Sequence, residues 1–272
     1  MTENVLTDSL DGLLRTTVTS ATETVYFVGP SHRAIEDLVT VLTDVESAPT
    51  VRLLSAERVV KDVMADFLVA SRAASLVADG DLAIRVAADD PENALLVTES
   101  AVYAVVTLEG RVACLATGER EFVRGARDRY DDAWSDADSF ELRTPPLDEV
   151  RETLASDIGP ETAADFDSVL GSLQTARGDG DGLDEVTVSI LVAARNGELL
   201  YDISKWGEDI GLASKATFSR TKTKLEDMGL VDTEKVPIDV GRPRLRLMLG
   251  DDRLDDADAD QIASVAQSLL AS

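Results

Sequence analysis

Lys215, Thr217, Arg220, Lys222 and Lys224 fall within ten residues that contain no acid. The chain around them has 272 residues, 52 acids against 26 bases and a formal net charge of −26. Ammonium and guanidinium groups gathered on one short stretch can bind phosphates and base edges, the chemistry of nucleic-acid recognition. An acidic surface otherwise repels nucleic acid, so such a stretch is a local exemption. Of six Lys, only Lys61 precedes residue 200; Lys205, Lys215, Lys222, Lys224 and Lys235 follow it. Lys205 to Arg246 holds nine bases and seven acids, near +2, against about −28 for the remainder.

Such side chains need a rigid element that presents them together. The stretch DIGLASKATFSRTKTKLEDMGLV, Asp209 to Val231, reads as a helix end, a tight turn and a second helix. Ser214 is a favoured N-cap, and Gly229 is the expected residue for a left-handed C-terminal cap. Phe218, Thr221 and Leu225 form an inward stripe, leaving Lys215, Thr217, Arg220 and Lys224 off it. Beyond Gly229, Leu230–Val236 and Leu245–Leu249 read as a β-hairpin, with Arg242 at its tip and Arg244 and Arg246 on one strand face. Before it, Glu185 to Asn196 reads as an apolar helix, Leu199–Ile203 as a short strand or turn, and Ser204 as the cap of a helix through Trp206. Three helices and a hairpin make a winged helix-turn-helix over 185–250, whose third helix, the one capped by Ser214, would enter a DNA groove. Lys205 and Lys222 add to the cationic set.

The front of the chain has a different rhythm. Residues 4–21 read as an amphipathic helix. Val25–Val28, Val51–Leu54 and Leu82–Val86 read as buried strands. A helix capped by Ser31 and a long helix from Ser55 to about Asp79 separate them. That order implies parallel pairing through right-handed crossovers. Leu95–Val97, Val102–Leu108 and Val112–Leu115 add antiparallel hairpins, and a helix from Glu119 to about Trp134 closes the domain, with Ser135–Ser139 as a surface loop. The expected organisation is α/β with a mixed sheet over 1–140, a sensor or dimerisation domain, followed by a two-helix connector over 145–176. A flexible Gly/Asp joint over 177–184 then leads to the winged helix, and a C-terminal amphipathic helix occupies 255–272. The face of that last helix, Ile262, Val265, Ala266 and Leu269, must bury itself on its own chain or on a second copy.

Other chemistries find little support. The sequence has no Gly-rich phosphate loop, no Cys or His cluster and no Gly–x–Ser–x–Gly elbow. Asp179, Asp181 and Asp184 superficially resemble a calcium loop but lack the EF-hand spacing and terminal Glu, so no metal or cofactor is expected. The single Cys, Cys114, cannot form an internal disulfide and reads as a small core residue. No signal peptide or long apolar run is visible, which points to a cytoplasmic protein without membrane contact. Abundant acids with few Lys fit a salt-loaded cytoplasm, in which counterion release contributes less to DNA affinity.

The Ser–x–x–Thr–x–Ser–Arg helix followed by Leu–Glu–x–x–Gly–Leu–Val resembles the winged helices of archaeal transcription regulators. With YFVGPSHRAIEDL and RGDGDGLDE, the whole chain is similar to the haloarchaeal TbsP-type regulators, linked by name to the sugar-metabolism regulator TrmB. The resemblance implies a transcription factor of metabolic genes with Ser214, Lys215, Thr217, Ser219 and Arg220 on the DNA side. It also implies a phospholipase-D-like front domain of the TrmB-sensor kind. Phospholipase-D chemistry needs two His, one in His–x–Lys, whereas this chain has one, His32, followed by Arg33–Ala34. No enzyme is therefore expected. His32 reads either as a surface or cap residue or as a ligand contact. In the second case Ser31 and Ser55 would offer helix N-termini, and Arg33 and Arg58 charge, to an anionic metabolite.

Two functions remain from these readings. One is a dimeric DNA-binding regulator of promoters, since DNA half-sites usually match a two-fold dimer. The other is an adaptor whose winged helix binds protein instead of DNA.

Overall fold

A computed structural model describes residues 4–7, 9–108, 111–173, 176, 183–237 and 243–270. The chain divides into two compact units, Met1–Ala65 with Arg72–Leu142, and Asp66–Ser71 with Arg143–Ser272.

The first unit is built on an eight-stranded mixed sheet of order β1-β7-β6-β5-β2-β3-β4-β8. In chain order its elements are β1 (Asn4–Thr7), α1 (Leu10–Ser20), β2 (Val25–Val28), α2 (His32–Asp44), β3 (Val51–Ser55), α3 (Glu57–Val63) and α4 (Phe67–Asp79). They continue with β4 (Leu82–Val86), β5 (Leu95–Val97), β6 (Val102–Leu108), β7 (Arg111–Thr117), α5 (Arg120–Asp136) and β8 (Asp138–Ser139). β2, β3 and β4 pair in parallel, as the helix-separated apolar runs require; the remaining pairs are antiparallel. All four residues of β2 are buried, the mark of a strand covered on both faces. Along β3 the side chains alternate. Leu54 and Arg52 face α5, where Arg52 lies over the Tyr26 and Trp134 rings at 5.5 and 5.4 Å. Tyr26, Val28, Val97, Val102 and Val123 complete that layer. Cys114 is buried in β7, and burial pushes its thiol up to about 11.

Three expectations for this unit fail for identifiable reasons. Residues 4–21 are not one helix: Asn4–Thr7 pairs with β7, and Ser9 caps a helix that starts at Leu10. There a partner strand outweighs helical spacing. The long helix after β3 is broken between Val63 and Phe67, where the Asp66 carboxylate accepts the Leu68 amide at 3.0 Å and restarts the helix. Ser135–Ser139 is no free loop, since α5 continues to Asp136 and β8 extends the sheet from β4.

The second unit contains α6 (Leu147–Asp157), α7 (Pro160–Ser172), α8 (Glu185–Arg195), α9 (Leu200–Asp209), α10 (Lys215–Asp227), β9 (Val231–Val236), β10 (Arg244–Leu249), α11 (Asp252–Asp255) and α12 (Ile262–Leu270). One core joins Val150, Phe166, Ile190, Trp206, Phe218 and Ile262. The expected connector and tail therefore pack with the winged helix. Ile262, Ala263 and Ala266 are buried there, so α12 docks on its own unit. Most of the expected joint lies outside the described residues; Asp184 at its end caps α8, accepting the Thr187 amide at 2.7 Å. Leu199–Ile203 is not a strand. Leu199 makes a single bridge to Arg246 and precedes α9, while Ser204 lies inside that helix and donates to the Tyr201 carbonyl.

Candidate nucleic-acid interface

α9 and α10 form the helix-turn-helix, and a missing side chain sets how closely they approach. A Cβ on Gly207 would lie 2.4 Å from Cε2 of Phe218, whose ring is fully buried. Full burial of such a ring contributes about 2–3 kcal/mol, so this contact is a principal anchor of α10. At the start of α10, Ser214 Oγ accepts the Thr217 amide at 3.2 Å and lies 3.0 Å from Thr217 Oγ1. At its end Gly229 has φ +72°, a left-handed conformation that a side chain disfavours, and its amide returns to the Glu226 carbonyl. Phe218 and Leu225 are buried, Thr221 is half-buried, and Lys215, Ser219, Arg220, Thr223 and Lys224 face outward.

The wing stands beside this face. β10 pairs antiparallel with β9 from Arg244↔Val236 to Leu249↔Val231. Arg244 turns towards α9, with its guanidinium 4.3 Å from the centre of the Tyr201 ring and 3.2 Å from Asp202 Oδ1. Lys215, Ser219 and Arg244 thus share one cleft of about 460 Å³, with Tyr201 and Ser204 from α9 and Pro243 from the wing. Tyr201 was not singled out by its sequence context; an exposed aromatic at a helix start beside a basic segment is the available signal. Such a ring can stack on a guanidinium or a sugar.

Most of the cations are already matched by carboxylates. Lys215 Nζ lies 2.7 Å from Glu208 Oε2, and the Lys215 amide donates to Glu208 Oε1 at 3.3 Å. The side-chain bond between the ammonium and the carboxylate raises the Lys215 pKa and, with the amide bond adding to it, holds the Glu208 carboxyl below its ordinary range. Lys205 pairs with Asp209, which raises its pKa, and its place on α9 lies outside the shared cleft. Lys222 is largely enclosed, with its side chain 11% exposed and its ammonium 2.5 Å from Glu226, whose other oxygen accepts from Thr233 of β9. It braces α10 against the wing. Arg220 has no carboxylate partner among the described residues; its guanidinium reaches Thr217 Oγ1 at 3.5 Å. Arg242 lies outside the described residues.

The candidate anion site in the first unit has another geometry. Ser31 caps α2, and His32 Nε2 lies 3.0 Å from Asp62 Oδ2 at the surface. Arg33 is exposed on α2, and Arg58 pairs with Asp90 at 2.9 Å. Ser55 is no helix cap: it ends β3, Ala56 takes the cap position, and its buried hydroxyl has no partner among the described residues. A cavity of about 670 Å³ lies at the strand ends, lined by Val28, Leu54, Asp89, Asp90, Arg129 and Tyr130 among others, and by none of these five residues. Among the described residues no group of His, Cys, Asp and Glu is arranged to hold a metal ion, and no helix is long and apolar enough to cross a membrane.

Comparisons with known proteins address both units. No curated protein matches the sequence. Among solved structures, similar chains include TrmBL2, described as an archaeal chromatin protein with a novel mode of DNA binding. Its identity is 11% over 51% of this chain and 54% of that one, about half its length, with TM-score 0.37. Nuc, a phospholipase D family member from Salmonella typhimurium, has 11% identity over 52% of this chain and 98% of its own, with TM-score 0.38. NucT from Helicobacter pylori has 13% identity over 52% and 100%, with TM-score 0.34. Likenesses this low carry nothing further to this chain. Family profiles do: one described as transcriptional regulator TbsP-like, N-terminal, matches residues 2–145, and one described as transcriptional regulator TbsP-like, C-terminal HTH domain, matches residues 146–267. The chain therefore belongs to the TbsP-like transcriptional regulators, DNA-binding proteins of the helix-turn-helix class.

Proposed function

We propose that this chain is a sequence-specific, homodimeric regulator of metabolic promoters, acting in the cytoplasm of a salt-adapted archaeon. The observation that carries the DNA reading is the convergence of Lys215, Ser219 and Arg244 on one cleft, with Arg220 and Lys224 exposed on the same helix. The outward face of α10 carries no exposed large apolar side chain among the described residues, which disfavours the adaptor reading. Ser214 and Thr217 act mainly by capping, and Lys222 by bracing. Lys215, Ser219 and Arg220 make the contacts in the groove, while Lys205, Lys224, Arg242 and Arg244 contact flanking phosphates. Sugar and central-carbon genes are the targets that the likeness to TrmB-linked regulators supports. Ser31, His32, Arg33, Ser55 and Arg58 do not line the cavity at the strand ends, and we assign no metabolite to them.

The test is genome-wide occupancy of the tagged protein beside Arg220→Ala. Loss of a base-contacting Arg weakens binding by about 10- to 100-fold, enough to remove sharp promoter peaks. Peaks that persist in the variant, or diffuse signal from both proteins, refute sequence reading through α10.

A further inference from the structure

The sheet face shared by β6 and β7 continues beyond α5 and is apolar where it emerges. Ala104 pairs with Leu115 and Val106 with Ala113, so all four point to the face on which α5 lies. Val106 is 51% exposed and Leu115 56%, and Phe122 of α5 beside them is 58% exposed. An apolar groove of about 710 Å³ runs here, with Glu121 and Arg129 its charged lining residues. On a chain of net charge −26, an acid-poor surface of this kind is where a second body can approach without repulsion.

Helix α5 indicates which body. Arg120–Arg129 holds four Arg against Glu121 and Asp128, whereas residues 130–136 hold Asp131, Asp132 and Asp136 and no base. Phe122, Gly125, Arg129, Asp132 and Asp136 recur at helical spacing along the exposed side. Arg129, Asp132 and Asp136 have no ion pair among the described residues. A Cβ at Gly125 would meet nothing within 4 Å, so the helix can be approached closely there. A helix basic in one half and acidic in the other complements itself when run antiparallel, the arrangement that a two-fold axis perpendicular to the helix produces. The other candidate surface, α12, is already buried in its own unit.

We infer that a second copy of this chain docks on the β6–β7 face and α5, with Phe122 and Leu115 as apolar anchors and Arg129 facing the partner's acidic half-helix. This rests on the homodimer reading given above and names its surface. The test is the solution mass of the full chain by light scattering at low and high salt, with circular dichroism as the check on folding. The wild type should weigh twice 29.1 kDa. Phe122→Glu with Leu115→Glu should keep the spectrum and raise the dimer dissociation constant by about 30-fold or more. Arg129→Asp should weaken the dimer, and adding Asp132→Arg with Asp136→Arg should restore it. A wild-type mass of 29.1 kDa overturns the dimer itself. A firm dimer in all the variants overturns the surface and leaves the dimer standing.

Discussion

Replacing Glu208 by Gln should strengthen DNA binding by a protein whose acidity otherwise opposes it. Glu208 occupies the N-terminal end of α10 as a phosphate would, with one oxygen on the Lys215 ammonium at 2.7 Å and the other on its amide at 3.3 Å. A DNA phosphate reaching Lys215 must displace that carboxylate. In the Gln variant Lys215 becomes a full phosphate contact, and each such contact adds about 0.9 to the slope of log affinity against log salt. Between about 200 and 50 mM salt this amounts to an extra gain of about 3.5-fold. Fluorescence anisotropy on a labelled duplex over a salt series measures the slope directly. The same substitution in a Lys215→Ala background isolates the route, because the coupled pair gives non-additive effects. An unchanged slope, or an equal gain without Lys215, would falsify the account of Glu208 as a stand-in for phosphate.

Gly207→Ala forces its Cβ against the Phe218 ring at 2.4 Å, and overpacking of this kind costs about 1–3 kcal/mol. A lowered urea midpoint with weakened DNA binding is expected; unchanged values for both remove Gly207 as the determinant of helix approach. Glu185, at the first turn of α8, is pushed up from 4.5 to about 7, chiefly by burial and also by Asp184 and Asp66. The folded chain therefore holds a proton that the unfolded chain releases between pH 4.5 and about 7, and stability falls as pH rises through that window. Glu185→Gln should match the wild type at pH near 4 and exceed it at pH near 8 by about 2 kcal/mol, allowing for the partial exposure of the side chain. Equal denaturation midpoints at both pH values refute the shift.

Helix α10 was legible because its determinants are local. Ser214, Phe218, Leu225 and Gly229 each do what their residue type and spacing imply. The parallel centre of the sheet was legible for the same reason, through uninterrupted apolar runs such as Val25–Val28. What failed depended on partners distant in sequence. Asn4–Thr7 became a strand because β7, more than a hundred residues later, offered an edge. Lys222 looked like its neighbours on the helix, yet Glu226 and Thr233 enclose it. The convergence of Lys215 and Arg244 needed the wing folded back beside α9, and Tyr201 became visible only under the Arg244 guanidinium.

The core that ties α6 and α7 to α12 also bears on how this regulator can be inherited or rebuilt. Leu254, Ala257, Ile262, Ala263 and Ala266, all beyond the wing, close the same interior as Phe166 and Ile190. Asp66–Ser71 belongs to that unit as well: Asp66 Oδ2 accepts the Ala176 amide at 3.3 Å, and Ser71 donates to the Pro145 carbonyl at 2.9 Å. A recombination joint at residue 145 or a truncation at Gly250 would carry α10 away with its interior open. Under the proposed DNA reading, transplanting specificity onto another protein therefore calls for exchanging side chains along α10, with the helix left in its own setting.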